Sequence, residues 1–248
     1  MEHAPPQQSA AQPYYQAVDQ TYVTEQLMPR YNRSIVARML GQIGALKAAP
    51  DAVALDFGAG IGTLARLWAA EFSGRLKTLE LDPHQQGILR EHGFDTVGSL
   101  DEIPPGTLDI VYSSNVLEHI EDDIAALRAI YSRLKPGGRL LLYVPALQSL
   151  WSDLDTAVGH VRRYSRPGLR HAIEAAGFRI DDLGYSDSLG VAAWFAIKLL
   201  GFRPGSGIAS DRSYCIYDNL VFPISTILDR LGGRYLIGKN LFVAATRP

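Results

Sequence analysis

A single cysteine, Cys215, stands in a chain of 248 residues. No internal disulfide framework and no cysteine-rich zinc site can be built from it. One thiol also fits a reducing compartment, so a cytoplasmic location is expected. Neither sign of charge prevails: 24 basic against 26 acidic residues leave a net charge of −2. That balance opposes a protein that grips nucleic acid along a broad basic face; the one compact basic run is Arg162, Arg163 and Arg166. No hydrophobic run reaches spanning length. The most apolar stretch, Val191–Phe202, is too short and holds Lys198, so no transmembrane segment is expected. Met1–Gln16 is rich in Pro, Gln and Ala and has no apolar signal core, so secretion by that route is not expected. There is also no internal repeat. What is present is ordinary for a globule, 47% hydrophobic residues over a length that suits one large domain, or one domain with an insert.

Residues 1–16, with Pro5, Pro6 and Pro13, read as a loose tail. From Val18 to Ala49 apolar residues recur at helical spacing (Ile35, Val36, Met39, Leu40, Ile43, Leu46), and Pro50 stops the pattern, giving a helical cap over 17–50. Strands and helices then alternate. Strands are expected at Val53–Phe57, Leu76–Leu81, Asp95–Gly98, Leu108–Ser113, Arg139–Val144 and Phe178–Ser186. Helices are expected at Ile61–Phe72, Pro83–His92, Asp122–Leu134 and Arg166–Ala176. This rhythm implies a doubly wound α/β fold, a mostly parallel sheet covered on both faces. Leu189 to Arg234 breaks it with a long, apolar, irregular insert (188–234), which contains a short helix candidate over Leu189–Phe202. Tyr235–Thr246 reads as a closing strand.

The sharpest local signal is Ala54–Leu64, ALDFGAGIGTL: a strand, a glycine-rich turn and a helix. Glycines let the chain turn tightly and let a ligand approach the backbone, and the following helix presents free N–H groups. The spacing is G-x-G-x-G, not G-x-G-x-x-G, and no G-K-[ST] follows. The second strand ends LELDP (79–83). An acidic residue there can accept both hydroxyls of a ribose. Glu80 suits that role, whereas Asp82 suits capping the helix at Pro83.

With these residues the chain resembles a class I S-adenosylmethionine-dependent methyltransferase of the bacterial small-molecule type. LDFGAGIGTLA (55–65), LELDP (79–83), LDIVYSSNVLEHI (108–120) and LKPGGRLLLYVP (134–145) fall in family order and spacing, and GHVRRYS (159–165) followed by AGF (176–178) resembles one bacterial branch. The resemblance implies a Rossmann-like seven-stranded sheet over 51–248 and S-adenosylmethionine as cofactor. Asp56, Gly58 and Gly60 would line its methionine half, Glu80 would bind the ribose and Leu81 would pack on the adenine. Ser114 and Asn115 would face the sulfonium. Where the family often has an Asp for the adenine amino group, this chain has Ser99, so either Ser99 serves or the Leu100 backbone and Asp101 share the task.

Methyl transfer from a sulfonium is an in-line displacement, for which the protein chiefly aligns the partners and excludes water. A base is needed only where the acceptor must lose a proton. His119, just after the fourth strand, and His160, in the long connector Pro145–Tyr164, are the candidates, and Tyr164 is counted with them. Alternatively His119 orders its loop, and Arg162 and Arg163 pair with Asp153 and Asp155. The connector also carries Trp151. Arg162, Arg163 and Arg166 form either an anion site or a solvated face. Tyr14, Tyr15 and Tyr22, with Arg30 and Arg33, either close over the cofactor or pack on the sheet. No carboxylate–histidine set has ligand spacing, so no metal is expected. The expected partner is a small or medium-sized acceptor, hydrophobic, lipid-linked or anionic, with oxygen favoured over nitrogen or carbon. The 189–202 stretch is a candidate roof or homodimer face. The rival readings are a nicotinamide-dependent oxidoreductase, a non-catalytic S-adenosylmethionine-binding protein and a nucleic-acid methyltransferase.

Overall fold

A computed structural model describes residues 27–200 and 211–248. The tail, Tyr14, Tyr15 and Tyr22, and residues 201–210 of the insert lie outside the described residues. The described chain forms a seven-stranded sheet in the order β3-β2-β1-β4-β5-β7-β6. The strands are β1 (Val53–Phe57), β2 (Arg75–Leu79), β3 (Asp95–Val97), β4 (Leu108–Ser114), β5 (Leu134–Pro145), β6 (Arg179–Ser186) and β7 (Asn240–Thr246). All pairings are parallel except those of β7, which runs antiparallel to both β5 and β6.

Alternate residues of each central strand serve opposite faces. Leu55, Val111, Leu142 and Val243 enter one buried cluster; Ala54, Ile110, Leu141 and Phe242 enter the other. With both faces covered, β1 is buried along its whole length, which is why its sequence reads as a continuous apolar run. One face is covered by α1 (Pro29–Leu40) and by Trp68 of α2 (Thr63–Ala69). The other is covered by α4 (Asp123–Arg133) and α6 (Arg166–Ala175), with the short α5 (Asp153–Ala157) in the connector before α6. The chain winds outward from β1 to β3 and then returns to the other side of β1 as β4. The carboxyl ends of β1 and β4 therefore diverge at a topological switch point, where open α/β sheets leave a crevice.

The cap expected at Pro83 is present. Asp82 caps α3 (Pro83–Glu91) by accepting from the Gln85 N–H at 2.8 Å. Ser165 caps α6 by accepting from the Gly168 N–H at 3.1 Å. Gly177, at φ +98°, turns the chain after α6. Other boundaries move. Among the described residues the cap is α1 followed by a 3-10 turn at Gly44–Ala48; residues 17–26 of the expected cap lie outside them. α2 begins only at Thr63, because Gly62 sits at φ +85° and cannot continue a right-handed helix. The closing strand begins at Asn240 rather than Tyr235, since Gly233–Tyr235 forms a 3-10 turn.

In the insert the helix expected over Leu189–Phe202 is found at Ser188–Leu200, and the described residues beyond it, expected to be irregular, are helical as well. α7 (Ser188–Leu200) is followed by α8 (Asp211–Ile216), a π-helical turn (Tyr217–Val221) and α9 (Phe222–Arg230). Two buried carboxylates fix these helices. Asp218 accepts from the Arg30 and Tyr31 N–H groups at 3.0 and 2.8 Å, capping α1, which has no side-chain cap of its own. Asp229 accepts from the Asp187 and Ser188 N–H groups at 2.7 and 3.2 Å, at the start of α7. No helix among the described residues is long and apolar enough to cross a membrane.

Candidate functional site

A cleft of about 1010 Å³ opens at the switch point. Its floor is the β1–α2 loop. Gly58, Gly60 and Gly62 all adopt positive φ (78°, 56° and 85°). A Cβ at Gly58 would collide with the Val116 side chain, so glycine is required there both for conformation and for space. The Gly58 and Ala59 N–H groups each donate to the Leu79 carbonyl at 2.9 Å, which binds the loop to the end of β2. Glu80 completes that tie. Its Oε2 accepts from the Gly60 N–H at 2.8 Å. Its Oε1 accepts from the N–H groups of Leu81 (2.8 Å) and Asp82 (3.0 Å).

Asp56 sits beneath the loop, 2% exposed, with Oδ2 lacking any hydrogen-bond partner. Burial pushes its carboxyl up to about 7; the nearby Tyr112 hydroxyl offsets this in part and the Glu80 charge adds to it. A buried acceptor left open toward a cleft is an invitation to a donor or a cation. All the expected cofactor residues line the cleft: Asp56, Gly58, Gly60, Glu80, Leu81, Ser99, Leu100, Ser114 and Asn115. Ser99 caps the turn Leu100–Glu102, its Oγ accepting from the Asp101 N–H at 3.1 Å. Asp101 itself turns outward to Arg133 (3.0 Å) and does not line the cleft.

His119 and His160 meet on the opposite wall, rings 4.7 Å apart and edge to face. His160 Nδ1 lies 2.8 Å from Asp155 Oδ1. Asp155 is 1% exposed and is gripped by Arg163, Nε to Oδ1 at 2.7 Å and Nη2 to Oδ2 at 3.1 Å. Burial alone would raise the Asp155 carboxyl, but His160 and Arg163 outweigh it and hold it at about 2. An ionised Asp155 fixes the His160 proton on Nδ1 and leaves Nε2 as the basic atom. His119 Nδ1 faces the Gly159 carbonyl at 3.2 Å, so it donates and its Nε2 is likewise free. Burial and the neighbouring His160 lower the His119 pKa. The third member is Glu118, fully buried, with neither carboxyl oxygen hydrogen-bonded and Oε1 3.7 Å from His160 Nε2. Burial pushes it up to about 8. Folding thus assembles a carboxylate–histidine set that is not visible as a spacing: ligating atoms of Glu118, His119 and His160 all lie within 4.8 Å of one another.

Other expectations change. The structure does not bring Tyr164 to the cleft: it is 4% exposed and its hydroxyl donates to Asp123 Oδ2 at 2.7 Å. Arg163 is consumed by Asp155, Arg162 by Asp123 at 2.7 Å, and Arg166 donates to the Leu183 carbonyl at 3.1 Å. None of the three lines the cleft, and no lysine or arginine does among the described residues. Sequence reasoning missed Glu118, and it missed Tyr31, Asn32 and Ile35, which α1 contributes to the cleft. Ile35 was read only as core. Glu118 carried no signal beyond lying beside His119.

A family model described as "Methyltransferase domain" matches residues 24–183. A ubiquinone biosynthesis O-methyltransferase of Xanthomonas campestris pv. campestris is 33% identical over 113 residues, 42% of this chain and 47% of that protein. A malonyl-[acyl-carrier protein] O-methyltransferase of Serratia marcescens is 30% identical over 135 residues, 50% of this chain and 51% of that protein. The matches thus span about half the length of these curated relatives. The crystal structure of Haemonchus contortus phosphoethanolamine N-methyltransferase 2 with S-adenosyl-L-methionine superimposes with a TM-score of 0.57 at 21% identity, over 86% of this chain and 52% of that one. At that identity the likeness concerns the fold.

The buried acids set a pH dependence. Glu118 keeps its proton in the folded chain up to about pH 8 but loses it near 4.5 when unfolded. The folded state therefore binds more protons across that window, and stability falls as pH rises through it. Asp56 acts in the same sense up to about 7, whereas Asp155 matters only below about pH 4. The melting temperature is expected to decline from pH 5 to pH 8.5, and Glu118→Gln to flatten that decline. An unchanged slope in the variant would contradict the buried, unpartnered carboxyl.

Proposed function

The chain belongs to the methyltransferase-domain family, and from that premise we propose that it transfers a methyl group from S-adenosylmethionine to a hydroxyl of a small or medium-sized, hydrophobic or lipid-linked acceptor. The observation that carries this reading is the pair of functions facing one cleft. A glycine loop with a strand-end carboxylate forms one wall and a carboxylate-paired histidine the other. Bound there, the cofactor supplies an electrophilic methyl on a sulfonium.

The residues fit such a group. The open Oδ2 of Asp56 offers an acceptor to the cationic methionine end. The glycines at positive φ clear space for backbone N–H groups to be approached. An ionised carboxylate has about four lone-pair sites, and three backbone N–H groups occupy Glu80, leaving about one for a ribose hydroxyl. The cleft, about 1010 Å³, is at the upper end of single-ligand pockets, which suits a cofactor and an acceptor together.

On the other wall His160 Nε2 takes the hydroxyl proton, and ionised Asp155 stabilises the imidazolium that forms. Among the described residues the lining offers Ile35, Leu81, Leu100, Val116, Ile120 and Val158 but no lysine or arginine, which favours an apolar acceptor over an anionic one. The names of the O-methyltransferase relatives favour oxygen as the accepting atom.

Glu80→Ala is expected to weaken S-adenosylhomocysteine binding by the worth of hydrogen bonds to a charged group, about 1.5–3 kcal/mol or some ten- to hundredfold. Glu80→Gln should also weaken binding, because an amide oxygen replaces only one of the two accepting carboxylate oxygens. Unchanged affinity in both would remove Glu80 as a ligand. Once a hydroxyl acceptor is found, His160→Gln should lower kcat by about 10²–10⁴ with S-adenosylhomocysteine affinity nearly intact. His119→Gln should cost far less. A fully active His160→Gln enzyme would point to an acceptor that needs no base, such as a neutral amine. Cofactor binding without turnover on any acceptor would favour a non-catalytic partner protein.

A further inference from the structure

We propose that the outer face of the helix running through α8, the π-helical turn and α9 docks on the surface of an anionic lipid bilayer. Leu220, Ile224, Ile227, Leu228 and Leu231 recur at the spacing of one helical face, and Ile216 extends it by a turn toward the N-terminus. All six are exposed; Leu220 reaches 60%, Ile227 56% and Leu231 79%. The apolar surface continues onto Tyr235, Leu236 (79%) and Ile237. Large side chains of this density rarely stand in water without a partner. The opposite face of the same helix is the packed one, with Asp218, Phe222, Ser225 and Asp229 buried. This face lies beyond the residues that the family model matches.

Charge selects the partner. Both acids with described side chains in the segment, Asp218 and Asp229, point inward as caps for α1 and α7. The exposed charges are Arg212 and Arg230, and Arg30 joins the rim, its Nε donating to Asn219 Oδ1 at 3.1 Å. An apolar face bordered by arginines, with no exposed carboxylate among the described side chains of the segment, is the pattern of a helix lying in a lipid interface, its cations at the headgroups. A second copy fits less well, since a two-fold contact would set like-charged arginines together. No described helix is long enough to span, so the contact is with the surface. The buried side of the helix reaches the cleft through Tyr31. Phe222 packs on Tyr31 with ring centroids 4.9 Å apart, and Tyr31 lines the cleft. The docking holds whether or not the acceptor is lipid-linked; if it is, the surface brings the cleft to it.

The test is sedimentation of the full chain with vesicles of phosphatidylglycerol and phosphatidylcholine mixed equally, against pure phosphatidylcholine. Cys215, exposed and adjacent to Ile216, takes a polarity-sensitive dye as a second reporter. Expected are binding to the anionic vesicles that weakens with salt, a blue shift of the dye, and at least tenfold weaker binding in the combined variant Leu220→Gln, Ile224→Gln, Ile227→Gln. Arg212→Glu with Arg230→Glu should abolish the preference for anionic vesicles. Unchanged melting temperature and S-adenosylhomocysteine affinity would show that the variants fold. Three results would overturn the proposal. One is a wild-type chain that stays in the supernatant as a monomer. Another is a dimer that the glutamine variant dissociates, which assigns the face to a second copy. The third is vesicle binding that neither variant changes.

Discussion

Arg163 and Asp155 form an ion pair with both side chains nearly sealed from water, 5% and 1% exposed. Such a pair is a poor source of net stability, but losing one partner leaves a buried charge uncompensated and costs about 3–5 kcal/mol. Here the pair is also satisfied on its remaining sites. Arg163 donates to the Ala146 carbonyl, and Asp155 accepts from the Ser152 N–H and hydroxyl. The whole connector from β5 to α6 is organised around it. What this pair leaves over on Asp155 is the hydrogen bond to His160, so the orientation of the proposed base follows from a structural constraint rather than from a flexible loop. The arginines that might have met an anionic acceptor are used in building that wall.

The cofactor wall has a different logic. There the tie is between backbone and one carboxylate: Glu80 joins the β1–α2 loop to the end of β2, and Leu79 holds the same loop from its carbonyl. Asp56 and Glu118 are the unpaid remainder, buried acids with open oxygens on either side of the cleft. Acids with raised pKa values at a switch point of an α/β sheet are a recurrent mark of a working site. Glu118 also completes the one set of clustered ligating groups with the two histidines among the described residues. The insert adds a third element. Its inward carboxylates cap α1 and α7, so the same helix that presents an apolar outer face also positions the cap residues Tyr31 and Asn32 at the cleft.

Much of this was legible in the sequence because it rests on local chemistry. A strand running into G-x-G-x-G and a strand ending in an acid can be read in a line, and every residue read that way lines the cleft. The rest depends on contacts between distant segments. Asp218 caps a helix nearly two hundred positions earlier, and the Glu118–His160 approach joins two loops. Tyr164 reads as a site residue because it lies four positions after His160, but its hydroxyl is taken by Asp123. The insert misread for another reason. Leu220, Ile224, Ile227, Leu228 and Leu231 do keep a helical period, but it marks the exposed side while Asp218, Ser225 and Asp229 are buried, so the segment does not match the pattern of a helix packed by its apolar face.

The most direct measurement is calorimetric titration of the full chain with S-adenosylhomocysteine, with NADH in a parallel cell. The account predicts saturable one-to-one binding of S-adenosylhomocysteine in the micromolar range and no heat from NADH. Binding of NADH, or no binding of S-adenosylhomocysteine to a folded chain, would contradict the assignment of the cleft.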